Sequence, residues 1–263
     1  MNLRGGLALI RGLWLSWMQY RGFFFVLAFG IMIPPLIYLL VWSTAAGEGS
    51  LGGYTRGGFV AYYLVLILVN QITFAQVNWT VGDMIRYGQI NHILLRPLAP
   101  VFDALASEVA GKTVFLVFDV PILVGLAIIL KPELTFTFEK SLLFIVALLL
   151  AWMLRFLWGY WIALLAFWTA RADALLTLQD SLIFLLAGQV APVSLLPGVL
   201  QGTATILPFR YMVAFPVEIL TGNITGTDLA NGFIIQVLWL IAAGLLTIFI
   251  WNRGLQRYAG FGG

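Results

Sequence analysis

The 263-residue sequence has no cysteine and a single histidine, His92. That removes disulfide scaffolds, thiol nucleophiles, Cys-based zinc or iron–sulfur sites and any His cluster for a metal. Charge is equally scarce, at 10% of residues against roughly 25% in soluble domains. Apolar and aromatic residues reach 62%. So few charged side chains cannot cover a water-facing surface of this mass, so most of the surface faces lipid. The net charge of +3 is explained by loop arginines of a membrane chain rather than by nucleic acid.

A crossing helix needs about 20 predominantly apolar residues. Six stretches meet or approach that length: 23–43, 59–79, 108–130, 141–168, 175–196 and 232–251. The first run is longer than a secretion-signal core, so it reads as a retained helix. Six spans put both termini on one side. Arg4, Arg11, Arg21, Arg86, Arg96, Arg171, Arg253 and Arg257 lie on that side, against Arg56, Lys131, Lys140 and Arg210 on the other. The excess marks the cytoplasmic face. The expected fold is therefore an all-α polytopic membrane protein with six transmembrane helices, cytoplasmic N- and C-termini, and one domain over 1–263. No internal repeat or separate soluble domain interrupts it. Residues 1–22, with Trp14 and Trp17 between arginines, form either an interfacial cytoplasmic helix or an extension of the first span.

Gly111, Lys112 and Thr113 look like the end of a phosphate-binding loop, but Ala106 stands where the first glycine is required and the segment enters an apolar helix. No Gly-x-Ser-x-Gly elbow or His-Glu-x-x-His pair is present, so the chain does not read as an enzyme. Two charges fall deep in predicted spans. Asp119 and Arg155 differ in depth by only about 5 Å at 1.5 Å per residue, and an unpaired charge there costs roughly 2.5 to 3.5 kcal/mol on the insertion scale. An intramembrane ion pair is expected, as part of an ion relay or as a packing device. Pro34, Pro35 and Pro121 fall within spans and serve either as gating kinks or as static ones.

Two loops are informative. Residues 190–222 carry Pro192, Pro197, Pro208 and Pro216 among apolar residues, too hydrophobic for a solvated loop and too broken for one crossing helix. Short re-entrant helices over 197–222, between spans five and six, fit both facts, with an interfacial loop as the alternative. Arg210 and Glu218 either anchor this segment at headgroups or pair with each other. In the inner loop, 80–101, residues Asp83, Met84, Ile85, Arg86, Tyr87 and Gly88 suit a short two-faced surface helix ending at a glycine, followed by a kinked apolar return at 94–98. It reads either as a docking surface for a soluble partner or as a helix on lipid headgroups.

With the six-span layout, the 83–88 segment and its Leu-Leu-Arg-Pro-Leu return, the outer Leu-Pro-Phe-Arg-Tyr-Met at 207–212 and the Arg-Gly-Leu-Gln-Arg-Tyr-Ala-Gly-Phe-Gly-Gly terminus at 253–263, the chain resembles the ABC-2 type permeases of ATP-binding-cassette exporters. Within them it is most similar to short bacterial permeases of drug, antibiotic and viologen export. The resemblance implies a plasma (inner) membrane subunit that enclosed with a second permease copy or a paralogous permease forms a translocation path for hydrophobic or amphipathic compounds. Two ABC ATPase subunits would bind beneath it. It implies no cofactor in this chain, with ATP and Mg held by those partners, and only lipid besides. ATPase coupling falls on Asp83 to Gly88 with Arg96 and Pro97 setting the return, and a secondary contact on Arg171 and Asp173. The outer gate falls on Pro197, Pro208, Phe209, Arg210, Pro216 and Glu218, and path lining on Asn70, Gln71, Gln76, Gln189 and Ser194. A lipid or lipid-linked glycan as cargo, and an ion-coupled secondary carrier, are the alternative readings.

Overall fold

The computed structural model describes residues 3–95 and 99–258. Five helical stretches are long and apolar enough to cross a membrane, Arg21–Ala46, Arg56–Arg86, Pro100–Leu130, Phe138–Phe167 and Gly226–Arg257. The chain is an all-α polytopic membrane protein.

Helix α1, Leu3–Met18, is separated by a turn at Gln19 and Tyr20 from α2, Arg21–Ala46. On α2 the buried residues Phe24, Ala28, Met32, Pro35, Leu39, Ser43 and Ala46 recur every three or four positions. That spacing is one helical stripe; the remaining face is just as apolar but exposed, which is the signature of a helix with lipid on its outer side. Pro34 and Pro35 lie inside this helix without ending it. A two-stranded hairpin, β1 Ser50–Leu51 and β2 Tyr54–Thr55, reverses the chain through Gly52 and Gly53, both at positive φ. Such a two-residue turn favours glycine.

The Thr55 hydroxyl then accepts from the Gly58 amide and caps α3, Arg56–Thr73. This helix is buried on nearly every side and packs against α2, against α6 (Pro100–Leu130) and α7 (Phe138–Leu164), and against the short α11 (Ala214–Thr221). It stops at Phe74, whose extended backbone breaks the second span before α4, Val77–Arg86. After Gly88 a short α5, Ile90–Leu94, leads toward α6. α12, Gly226–Arg257, runs along α7.

Two boundaries differ from expectation. Residues Asp83 to Arg86 are not an isolated surface helix but the last turn of α4, which continues the second span; Gly88, at φ 72°, ends it as the sequence suggests. The fifth span, expected over 175–196, is helical only as α8, Ala172–Leu186. Fifteen residues cover about 22 Å, short of some 30 Å of hydrocarbon. The chain then turns at Gly188, and the freed carbonyls are taken up by ring donors: Tyr62 Oη to Gly188 O at 3.0 Å, and Tyr63 Oη and Trp42 Nε1 to Val190 O at 3.0 and 2.8 Å. Broken backbone among apolar helices persists only when satisfied in this way. The segment that follows forms α9 (Gly198–Ile206), α10 (Phe209–Met212) and α11, whose residues Ala214 to Leu220 are all buried.

α1 lies against α6, where Trp17 stacks on Phe24 with ring centroids 5.0 Å apart. Gly111 makes room for it, since a Cβ there would overlap the Trp17 ring. Gly111→Val is expected to cost roughly 1–2 kcal/mol of overpacking and to loosen α1, read as faster proteolysis within residues 3–18. An unchanged digestion pattern would mean that Trp17 turns aside freely.

Candidate functional site

The last turn of α3 carries three polar residues in an apolar core. Asn70 and Thr73 accept from Nη1 of Arg155 on α7, at 2.7 and 3.1 Å, and the Gln71 amide donates to Oδ2 of Asp119 on α6. Asp119 is fully buried and Arg155 is 4% exposed. The expected direct Asp119–Arg155 pair is therefore corrected: no salt bridge joins them, and each ends on α3, which packs against both α6 and α7. Both charges find their partners on a third helix, within one turn of α3. The arrangement offsets part of the cost of two deep charges, with Asp119 Oδ1 left unpartnered, and ties α3 to its neighbours.

One residue further on, the break at Phe74 exposes backbone groups that an unbroken helix would satisfy. Two α6 side chains one turn apart take them. Lys112 Nζ donates to Phe74 O at 2.7 Å, the Val77 amide donates to Glu108 Oε1 at 2.6 Å, and Lys112 and Glu108 pair at 2.6 Å. Lys112 also sits 5.6 Å from the centre of the Trp152 ring on α7. Glu108 was not singled out in the sequence, and Lys112 was weighed there only as part of a phosphate-binding loop that the pattern does not complete. The available signal was an acid four residues before a base within an apolar run, the favourable helical orientation.

At the end of α4, Arg86 pairs with Asp83 at 2.6 Å, covers the Tyr87 ring at 4.8 Å and donates to Ala170 O at 3.1 Å. Val81 and Ile85 face the core while Asp83, Arg86 and Tyr87 are exposed and Met84 is half-buried. Arg171 occupies the N-cap position of α8, and Asp173 lies in its first turn, where an acid suits the helix dipole. The 83–88 segment and the link around Arg171 and Asp173 thus form one surface. Arg96 and Pro97 lie outside the described residues.

At the opposite end Arg210 Nη2 donates to Glu218 Oε2 at 2.6 Å, so the two pair with each other. Pro197 and Pro208 precede α9 and α10, while Phe209 and Pro216 are buried. Arg210, Tyr211, Asn223, Asp228 and Asn231 line a cavity of about 470 Å³ here. Of the residues expected along a path, Asn70 and Gln71 are tied to the charges above; Gln189 is buried, Ser194 is exposed, and Gln76 sits in the break with its Oε1 unpartnered. Among the described residues no three His, Asp or Glu groups converge as a metal site.

No curated protein matches the chain. Residues 31–262 match the family described as ABC-2 family transporter protein, a stretch that begins within α2 and takes in every later helix. With most of its length matched and its helices apolar enough to span a bilayer, the chain belongs to the ABC-2 transporter family.

Proposed function

We propose that this chain is the permease subunit of an ATP-driven exporter of hydrophobic or amphipathic compounds in a bacterial inner membrane, with ATP hydrolysed by two separate subunits. In this reading the chain crosses the membrane six times with both termini cytoplasmic, α8 and the segment after it together making the fifth crossing. A second permease copy or a paralogue completes the path. The observation that carries the reading is Arg86, which ties the end of the second span to Ala170 in the link before α8. A partner seated on Asp83 to Gly88 and on Arg171 and Asp173 would push on the second span and on α8 at once, as a motor of differing affinity for two states must. Arg210, Glu218 and the prolines around them form the outer gate. The path runs beside Asn70, Gln71, Gln76, Gln189 and Ser194.

Arg86→Glu places a second acid beside Asp83 and removes the donor to Ala170. The expected result is loss of ATPase subunits from the purified complex, with the permease still folded by size-exclusion chromatography. Transport by the chain alone in liposomes, driven only by an ion gradient, would overturn the reading.

A further inference from the structure

We propose that Glu108 and Lys112 are positioning residues that hold the second span open at residues 74–76, making that break the joint through which movement of α4 reaches α3. The geometry is specific to the break. Lys112 takes the carbonyl of Phe74 and Glu108 takes the amide of Val77, at 2.7 and 2.6 Å, so a single ion pair holds one group on each side of the interruption. Both side chains come from α6, one turn apart, and Glu108 and Lys112 are 2% and 12% exposed.

The energetics explain why the pair matters more than its own attraction. A buried backbone group without a partner costs about 1–3 kcal/mol, and more in an apolar surrounding. Without the clasp, Phe74 O and the Val77 amide have one inexpensive remedy. They can rejoin the helical ladder, Phe74 O to the amide of residue 78 and the Val77 amide to the carbonyl of residue 73, making 56–86 continuous. The clasp therefore sets the balance between a jointed and a continuous second span. A pocket of only about 10 Å³, lined in part by Gln71, Gln76, Glu108 and Lys112, lies beside the break, so these side chains pack closely around it. The α3 side of the joint is fixed by Arg155 and Asp119 through Asn70, Thr73 and Gln71, so motion is confined to α4, the helix that carries Arg86.

The role of the joint in transport rests on the permease reading above; the clasp itself does not, and the test separates them. Because the chain has no cysteine, spin labels at Arg56→Cys and Thr80→Cys, both at exposed positions, report the distance across the break without background. The parent should give one narrow distance distribution. Glu108→Leu/Lys112→Leu should broaden it or add a population near the roughly 36 Å of a continuous 24-residue helix, while Lys112→Arg, which still reaches Phe74 O, should leave it unchanged. If the double variant does not fold, Lys112→Met decides alone, with the same broadening expected. An unaltered distribution in the folded variant overturns the proposal. In the assembled transporter, Lys112→Met should keep the ATPase subunits bound and hydrolysing while cargo movement is lost, and Lys112→Arg should restore it; a fall in ATPase association instead would assign the pair a purely structural role. Failure of the parent chain to bind any ATPase would sink the permease reading and leave the distance result standing.

Discussion

Gly188→Ala should destabilise this protein markedly, because the added methyl enters a buried turn. Gly188 ends α8 at φ 76°, where an L side chain costs about 1–2 kcal/mol. An added Cβ would also overlap the Tyr62 hydroxyl and come within 3.1 Å of Ala214 Cβ. Tyr62 and Ala214 are both fully buried, so neither can step aside into solvent. To admit the methyl, Tyr62 must give up its hydrogen bond to Gly188 O, leaving a buried polar group at a further cost of about 1–3 kcal/mol. The total is on the order of 2–5 kcal/mol, read as a lower denaturant midpoint in mixed micelles. A second variant isolates the clash. In a Tyr62→Phe background the hydroxyl is gone and the next ring atom, Cζ, lies 3.6 Å from the added Cβ. There Gly188→Ala should cost mainly the backbone strain, about 1–2 kcal/mol, with the 3.1 Å approach to Ala214 Cβ remaining. Equal costs in both backgrounds would show that Tyr62 does not hold the turn.

The same turn shows what the sequence made legible and what it concealed. Hydrophobic runs located the spanning helices because period and length are written in single residues. The end of the fifth run was not, since 175–196 remains apolar past Leu186 and the turn is imposed by Trp42, Tyr62 and Tyr63 from distant parts of the chain. The break at Phe74, Ala75 and Gln76 was hidden more completely. It contains no proline or glycine, and its stability comes from Glu108 and Lys112 more than thirty residues away. Asp119 and Arg155 were visible as a problem, two deep charges needing partners, while the solution was not, because the helix between them contributes Asn70, Gln71 and Thr73. The pairing of Arg210 with Glu218 could be anticipated: eight residues and a broken backbone let the two meet.

Gly159→Leu is the corresponding large effect at the other end of the bundle, and it connects stability to the proposed contact with the motor. α4 approaches α7 closely because the facing residues are small: Gly82 lies against Ala163 O, and Gly159 lies beneath Asn78. Gly159 and Ala163, four apart on α7, present one small face to the neighbouring helix, the spacing that allows close packing in membranes. A Cβ at 159 would overlap the Asn78 amide nitrogen and come within 3.3 Å of Gln179 Oε1 on α8. Asn78 donates to Phe156 O at 3.1 Å and is 1% exposed. Leucine there must therefore break that bond or drive α4 away from α7, at about 3 kcal/mol or more in overpacking and lost hydrogen bonding. The second outcome has a readable consequence. Arg86 sits two turns further along α4, and its reach to Ala170 O is 3.1 Å, so a small displacement of the helix parts the end of α4 from the link before α8. Gly159→Leu should lower stability and, in the fraction that stays folded, weaken ATPase binding; Gly159→Ala should do both to a lesser degree. If the leucine variant loses stability yet keeps full ATPase binding, Asn78 has yielded in place, and the position of α4 does not depend on Gly159.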